Sequence, residues 1–230
     1  QDGIAVKGIE SVSERHTLVK IRFFGSRESL LEDSQILLQA DRGPLESIEN
    51  SMSEKLSNNA MKQLENSCAL VISDYDNGAV TVSSASKLIG AAHKIGIPVI
   101  MDPKLTGLER SRGATVVLVE MRGMDLLRRR LEASDSTTAA SELISTYDWD
   151  ALVVLGGING VTLYQSEGEM IHFDCSAPTP KQQIGLHDAA ATALAVALGN
   201  GLPMEDAGLL AAAACDCILT AEASHEFVDI

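Results

Sequence analysis

The residues best suited to chemistry lie between Gln182 and Gly201, where a polar loop with Gly185 and Asp188 precedes an alanine-rich helix. Such a loop can bind an anion, because the first backbone N–H groups of a helix lack acceptors and the helix dipole is positive at that end. Asp188 is placed to act as a general base beside a bound phosphate. The alternative is that Asp188 only caps the helix, a common use of aspartate.

Three further polar clusters follow apolar, strand-like runs, at Ser73–Gly78, Asp102–Lys104 and Gly156–Gly160. In open α/β sheets, ligands bind at the carboxyl ends of the parallel strands. Each cluster alone is also explained by the polar, glycine-rich composition of turns. Four clusters at corresponding positions, with the Gly185 loop as the fourth, indicate a site along one edge of a sheet.

The elements that must position these clusters are apolar strands alternating with helices. This alternation is typical of a mostly parallel sheet covered by helices on both faces, so we predict a three-layer, doubly wound α/β fold. The predicted strands are 69–73, 97–101, 115–119 and 151–155, followed by a hairpin of 161–165 and 170–173. The predicted helices are 82–95, 124–147 with a break near 134–136, the alanine-rich segment, and 204–220.

The first part of the chain has a different character. Residues 1–16 are polar and lack periodicity, and we interpret them as a tail before a single domain at 17–230. Strand-like composition at 17–24 and 35–39, with a turn at Gly25-Ser26-Arg27, predicts an antiparallel pair. A helix is predicted from Leu45 to Leu64, with an apolar face made of Ile48, Met52, Leu56, Ala60 and Leu64.

Composition excludes some classes of function. The formal net charge is −14 and the pI is about 4.7, which argues against wide contact with nucleic acid or anionic lipid. No apolar run is long enough to span a membrane, so direct membrane insertion is not expected. Cys215 and Cys217 lack the C-x-x-C spacing of common metal sites, and we predict no metal site and reduced, buried thiols.

Several short motifs resemble those of a known family. They are Ser73-Asp74-Tyr75 with Gly78, Ile97 to Lys104, Arg110 to Thr115, Ala151 to Leu155 with Gly160, and Gly185 with Asp188. On these motifs the chain resembles the ribokinase-like, or phosphofructokinase B type, sugar kinases from about His16 onward, most nearly the kinase domain of bifunctional ADP-heptose synthases. The resemblance implies a small β lid over the sugar and ATP-dependent phosphorylation of a sugar hydroxyl.

The resemblance also implies roles for individual residues. Asp188 matches the family's catalytic base, and Gly185 matches the first glycine of its Gly-Ala-Gly-Asp phosphate loop. Leu186 and His187 stand where the family has a small residue and a second glycine. Because that loop must lie almost against a phosphoryl group, we expect both side chains to crowd the phosphate.

Other ATP-site positions are also changed. Glu120 and Gly123 stand where the family has the Asn and Glu of an Asn-x-x-Glu motif that places metal and phosphates. A carboxylate at Glu120 repels nucleotide phosphates unless a metal bridges them, and Asp125 is out of register as a substitute. By the resemblance, Gly156 and Gly160 lie in the loop that would contact the nucleotide, and Gly160 is retained.

These departures predict a non-catalytic member of the family that acts as a structural or accessory subunit. We expect no cofactor, and other protein subunits as partners along the sheet edge where the family's missing first strands would lie. The alternative is an ATP-dependent sugar or sugar-phosphate kinase that uses magnesium, and a third interpretation is a nucleotide or sugar-phosphate sensor. A soluble intracellular location is expected, with an organellar matrix or stroma as one setting.

Overall fold

The structure is a computed structural model that describes residues 3–12, 15–25, 35–44, 48–177 and 183–221. Several predictions fall partly outside these ranges: the tail at 1–16, the domain at 17–230, the turn at Gly25-Ser26-Arg27, the helix start near Leu45, and the beginning of the loop at Gln182. Within them, two sheets and six helices form the described architecture.

The main sheet has six strands in the sequential order β3-β4-β5-β6-β7-β8. Strands β3 to β6 are parallel, and β7 and β8 continue the sheet in antiparallel fashion. The strands are β3 Leu70–Asp74, β4 Val99–Pro103, β5 Val116–Glu120, β6 Ala151–Leu155, β7 Val161–Gln165 and β8 Met170–Phe173. All four predicted parallel strands are therefore confirmed within about one or two residues, as is the hairpin.

Helices cover both faces of this sheet, which confirms the three-layer α/β prediction. Helices α2 to α4 bury one apolar cluster with Met101, Val117 and Leu152, whereas α5 and α6 bury another with Ile100, Leu118 and Val153. Alternate residues of each strand thus enter opposite layers. The helices are α1 Asn50–Leu64, α2 Val82–Lys94, α3 Met121–Arg130, α4 Ser136–Tyr147, α5 Leu186–Gly199 and α6 Met204–Thr220.

Helix starts are fixed by local chemistry. At α2 the side chain of Thr81 accepts from the backbone N–H of Ser84, and the Ser84 hydroxyl accepts from the Thr81 N–H, a reciprocal capping box. At α4 the carboxylate of Asp135 accepts from the N–H of Thr138. Helix α5 instead begins after Gly185, whose φ of 90° lies in the left-handed region that favours glycine. The start of α5 thus depends on the left-handed backbone conformation of Gly185.

Helix α1 differs from its sequence prediction. The predicted apolar row is only half-buried along most of its length, and the fully buried residues are Ser53, Ser57 and Leu64. One physical reason is that Ile48, Met52 and Leu56 line a cleft, which Glu10, Val12 and Leu18 also line. The hydroxyl of the buried Ser53 donates to the carbonyl oxygen of Ala79. Periodicity located the helix but not the face that it buries most deeply.

A separate antiparallel pair precedes α1, with β1 at Val19–Gly25 and β2 at Gln35–Arg42. This pair confirms the predicted antiparallel strands. Upstream, the Glu10 carboxylate contacts Lys55 Nζ at 2.7 Å and accepts from Asn59 Nδ2 at 2.7 Å. Part of the predicted tail therefore rests on α1, and the division of the chain at residue 16 stays a prediction. None of the helices in the described ranges is long and apolar enough to cross a membrane.

Candidate functional site

The carboxyl ends of β4 and β5 meet the first turn of α5. Asp102 lies near the end of β4, Glu120 is the last residue of β5, and His187 is the second residue of α5. The Nδ1 atom of His187 lies 2.9 Å from Oδ1 of Asp102 in a hydrogen bond, and its Nε2 lies 3.7 Å from Oε1 of Glu120. The imidazole therefore connects α5 to two strands of the sheet.

This imidazole has an unusual electrostatic setting. Burial alone would lower the pKa of His187, but the hydrogen bond and charge of Asp102, together with the charge of Glu120, raise it above its ordinary value. Its Nε2 atom is buried and makes no hydrogen bond within the described ranges. Asp102 and Glu120 thus favour protonation of His187, whereas burial and Lys104 oppose it. The shift favours positive charge at the helix end that the sequence predicted as an anion site.

A groove opens beside this pair. Its walls come from the end of β6 and the turn after it, from the start of α3, and from the loop before α5. The lining residues include Glu120, Arg122, Gly156, Leu186 and His187. Four predicted site residues, Glu120, Gly156, Leu186 and His187, are therefore brought together, whereas Gly160, Gly185 and Asp188 are not among the lining residues.

The turn after β6 depends on two glycines. A Cβ atom at Gly156 would lie 2.8 Å from Met121 Cε and 2.9 Å from the Gly160 carbonyl oxygen. A Cβ atom at Gly160 would lie 2.1 Å from the carbonyl oxygen of Phe173, and Gly160 has a φ of 76°. Gly160 is therefore required for the turn into β7, and its place there is structural.

Asp188 occupies the third position of α5 and is exposed. The N-cap is Gly185, and no side chain of the described residues caps the helix, so the interpretation of Asp188 as the cap is wrong. The carboxylate still lies in the first turn, where the helix dipole favours a negative charge. An exposed carboxylate at this place can accept a proton from a hydroxyl group brought to it.

Leu186 lines the groove, but most of its side chain is buried beneath the helix. Its side chain is 6% exposed and belongs to the apolar cluster beneath α5 and α6. The expected crowding of the phosphate loop therefore comes mainly from His187, while Leu186 anchors the helix start in the core. The reason is helical geometry, because consecutive residues of a helix point about 100° apart.

A second charged cluster lies at the end of β3, next to the first. The Nε atom of Arg110 donates to Oδ2 of Asp74 at 2.5 Å, and its Nη2 donates to Oδ1 of Asp76. Thr106 Oγ1 donates to Oδ2 of Asp76 at 2.6 Å. That hydrogen bond, and then the one from Arg110, lower the pKa of Asp76 below its usual range. A Cβ atom at Gly107 would lie 2.2 Å from Arg110 Nη2, so this glycine leaves room for the guanidinium.

Sequence reasoning missed both pairings. It placed Asp102, His187 and Asp74 in polar clusters but did not join Asp102 to His187 or Asp74 to Arg110. The available signal was the position of each cluster at a strand end, since neighbouring parallel strands bring their carboxyl ends together. The partner of each charge depended on side-chain directions that the sequence does not show.

ATP and magnesium are the groups that the fold implies, and the residues that line the groove fit them only in part. The groove has glycine backbone at Gly156 and Gly157 and a guanidinium at Arg122, which suit a flat base and its phosphates. Its acidic members, Glu120 and Asp125, oppose phosphate charge. Within the described ranges, no group of three or more His, Cys, Asp or Glu side chains is arranged to hold a metal ion. The fit is therefore partial: the groove's glycines and Arg122 suit a nucleotide, whereas the described residues offer no group of three such side chains for magnesium.

Comparison with protein families places these features in context. The profile described as pfkB family carbohydrate kinase matches residues 39–229 of the chain. The chain is 29% identical over 210 residues to the bifunctional protein HldE of a Salmonella paratyphi B strain, covering 91% of this chain. A Salmonella dublin HldE protein is 30% identical over the same length. The chain spans 42% of the length of these curated relatives.

Solved structures agree on the fold. Phosphofructokinase-2 from Escherichia coli, in complex with potassium, superposes with a TM-score of 0.62 at 21% identity, over 80% of this chain and 62% of that one. Ribokinase from Thermotoga maritima superposes with a TM-score of 0.63 at 15% identity, over 90% of this chain and 65% of that one. At these identities the likeness concerns the ribokinase-like α/β fold alone.

Proposed function

Because the chain belongs to the pfkB carbohydrate kinase family, we propose that its groove serves ATP-dependent phosphorylation of a sugar or sugar phosphate. The observation that carries this proposal is the family match over residues 39–229, joined to a groove at the carboxyl ends of β5 and β6. The resemblance of the chain's motifs to ADP-heptose synthases makes a sugar phosphate of the heptose 7-phosphate kind the first substrate to test.

The residues have distinct parts in this proposal. Asp188 accepts the proton of the attacking hydroxyl, and the backbone N–H groups at the start of α5 bind the transferred group's oxygens. Arg122, in the groove, neutralises phosphate charge. When bound, ATP supplies the phosphoryl group, and the protein contributes positioning, charge and the proton acceptor. His187 narrows the space above the loop, so we expect slow turnover.

A second candidate is a non-catalytic domain that works as an accessory subunit with other protein chains. The specific observation in its favour is the His187 ring, which is hydrogen-bonded to Asp102 where the family's loop has glycine. Removing the glycine removes the close approach of backbone to phosphate. The position of His187 in the loop supports the accessory candidate, whereas membership of the pfkB carbohydrate kinase family supports the kinase candidate.

The deciding experiment measures product formation from ATP, magnesium and heptose 7-phosphate or common hexoses. If the kinase proposal is right, Asp188→Asn lowers turnover by ~10²–10⁴-fold. Asp206→Asn is the matched control, because Asp206 lies in the first turn of the neighbouring helix α6 and is exposed. No product above background with any substrate, from a folded protein that sediments natively with other chains, would overturn the kinase proposal in favour of the accessory one.

A further inference from the structure

Glu120 and His187 both stand at positions where the chain departs from the motifs that it resembles, and the structure brings them into contact. The Nε2 atom of His187 lies 3.7 Å from Oε1 of Glu120, which is within the range of an ion pair. Both residues line the groove beside α5. An added carboxylate at one changed position is therefore accompanied by a titratable base at the other.

The imidazole is held from its other nitrogen by Asp102. The Nδ1 atom of His187 lies 2.9 Å from Oδ1 of Asp102 in a hydrogen bond. The Asp102 side chain is only 14% exposed, whereas the Glu120 side chain is 68% exposed. The Nε2 atom of the ring is itself buried. A ligand in the groove therefore meets the carboxylate of Glu120 and not the ring nitrogen.

One proton decides the charge of this group of three side chains. With the imidazole protonated, its positive charge compensates one of the two carboxylates, and with the imidazole neutral neither is compensated. Burial lowers the pKa of His187, but the hydrogen bond and charge of Asp102, with the charge of Glu120, outweigh burial, and Lys104 acts against them. Asp188, the next residue of α5, is exposed. Because its pKa is raised, the imidazole changes charge close to neutral pH.

We propose that the protonation state of His187 controls how tightly the groove binds the phosphate groups of a nucleotide. The inference rests on the proposed function, because it takes this groove as the nucleotide site. Phosphates in the groove meet the carboxylate of Glu120 and the guanidinium of Arg122, which keeps its charge. Asp125 also lines the groove, but it pairs with Arg128. Protonated His187 offsets the charge of Glu120, whereas neutral His187 leaves that charge to repel phosphate, so the affinity falls as the pH rises.

A purely structural account of the same contacts makes a different prediction. On that account, His187 only fastens the start of α5 to Asp102. A glutamine can do the same, because its side-chain amide can donate to the carboxylate. The ratio of ATP affinities between wild type and His187→Gln is then constant over pH. Our proposal predicts a ratio that is largest at low pH and approaches one at high pH.

The test is a calorimetric titration of the protein with ATP, in EDTA and at constant ionic strength, between pH 6 and pH 9. At the low end we expect wild type to bind about fivefold more tightly than His187→Gln, since an exposed ion pair contributes roughly this much. The protonation of ATP itself cancels in the ratio. His172→Gln is the matched control, because His172 is an exposed histidine on β8 and is not among the groove's lining residues.

Glu120→Gln tests the second half of the pair. It removes the repulsion, so ATP should bind more tightly at every pH. It also removes a charge that favours the protonated imidazole, so the fall in affinity should occur at lower pH. Glu205→Gln is its control, because Glu205 is an exposed glutamate in the first turn of α6. Thermal melts verify folding, and the exposed Glu120 keeps this arm usable even where His187→Gln does not fold.

The pKa of His187 can also be read directly from the chemical shift of its imidazole Cε1–H. Binding and protonation are reciprocal, so saturating ATP should raise that pKa. The inference is overturned if wild type and His187→Gln keep a constant affinity ratio, or if ATP leaves the pKa of His187 unchanged. The absence of ATP binding at every pH overturns the kinase proposal as well. Proton-linked binding without phosphoryl transfer supports the inference and overturns only the kinase proposal.

Discussion

The charged cluster at the end of β3 and the one at the end of β4 are neighbours on one sheet edge, but they differ in the basic side chain that pairs with their carboxylates. In the first, Asp74 and Asp76 share the guanidinium of Arg110. In the second, the imidazole of His187 faces the carboxylates of Asp102 and Glu120. Its buried Nε2 atom makes no hydrogen bond to any residue that the structure describes. The guanidinium of the first cluster keeps its positive charge, whereas the charge of the second cluster depends on whether its imidazole is protonated.

This difference indicates that the β3 cluster stabilises the fold, whereas the His187 cluster belongs to the candidate site. Arginine does not lose its proton in proteins, so the β3 cluster is a fixed brace between the strand end and the turn around Thr106. Histidine titrates near neutral pH, so the His187 pair can respond to conditions and to a bound anion. Four predictions, from the largest expected effect to the smallest, test this contrast.

Arg110→Ala should have the largest effect on stability. It leaves Asp74, which is 3% exposed, without its countercharge, and breaking such a buried pair costs about 3 kcal/mol or more. Urea unfolding at pH 7 measures this loss. Arg112→Ala is the control, because Arg112 pairs with the exposed Glu109 and should matter far less. Equal losses in the two variants would contradict the view of the β3 cluster as a brace.

Leu186→Ala tests whether Leu186 anchors the start of α5 in the core, while its neighbour His187 makes the polar contact with Asp102. Because Leu186 is buried in the apolar cluster beneath α5 and α6, we expect a loss of roughly 2–4 kcal/mol in the free energy of unfolding. Val196→Ala on the same helix, at a position that is 56% exposed, should change little. A negligible loss in Leu186→Ala would mean that this side chain does not anchor the helix.

His187→Ala should have an effect that depends on pH. The folded-state pKa of His187 is raised above the unfolded value, so its contribution to stability is fully present below about pH 6.5 and is lost as the pH rises through the folded pKa. The stability difference between wild type and variant should therefore shrink with increasing pH. Urea melts from pH 5.5 to 8.5 measure it.

Asp102→Asn supplies the matched control for that series. It keeps the shape of the side chain but removes the charge that raises the pKa of His187. In this background, His187→Ala should show a much flatter dependence on pH. If the slope is unchanged, Asp102 is not the group that holds the proton on His187.

Thr106→Val should have the smallest effect. It removes the hydroxyl that donates to Asp76, and because Asp76 is partly exposed we expect a loss of only about 0.5 kcal/mol. The folded-state pKa of Asp76 is lowered, so this contribution is present above about pH 3.9 and is lost as the pH falls. Melts at pH 7 and below pH 4 should show the difference narrowing; a constant difference would point to packing instead.

Much of the fold could be predicted because strand identity depends on local composition. The runs at 97–101 and 151–155 are apolar and bounded by polar turns, and they became β4 and β6 with little change. Helix α1 shows the limit of that reasoning. Its apolar row is regular, but Ser53 and Ser57 are the more buried. The helix α2 was itself predicted, but the side of α1 that packs on it was not.

The candidate site was predicted only in outline. Polar strand ends predicted that Asp102 and the Gly185 loop lie on one edge of the sheet, whereas Glu120 was named only through the family resemblance. The direction of each side chain was not predictable, so Leu186 was expected in the phosphate space and His187 was not joined to Asp102. The choice between a kinase and an accessory subunit depends on chemistry that neither periodicity nor fold determines.

The hydrogen bond between Asp102 and His187 should also affect the rate of unfolding. It joins residues that are 85 positions apart, whereas β3 to β6 pair with strands that are neighbours in chain order. Closing so long a loop costs entropy that early contacts do not repay, so this bond should form after the folding transition state. Interactions absent from the transition state slow unfolding without speeding folding. The lifetime of the folded domain therefore depends in part on the protonation of a single imidazole.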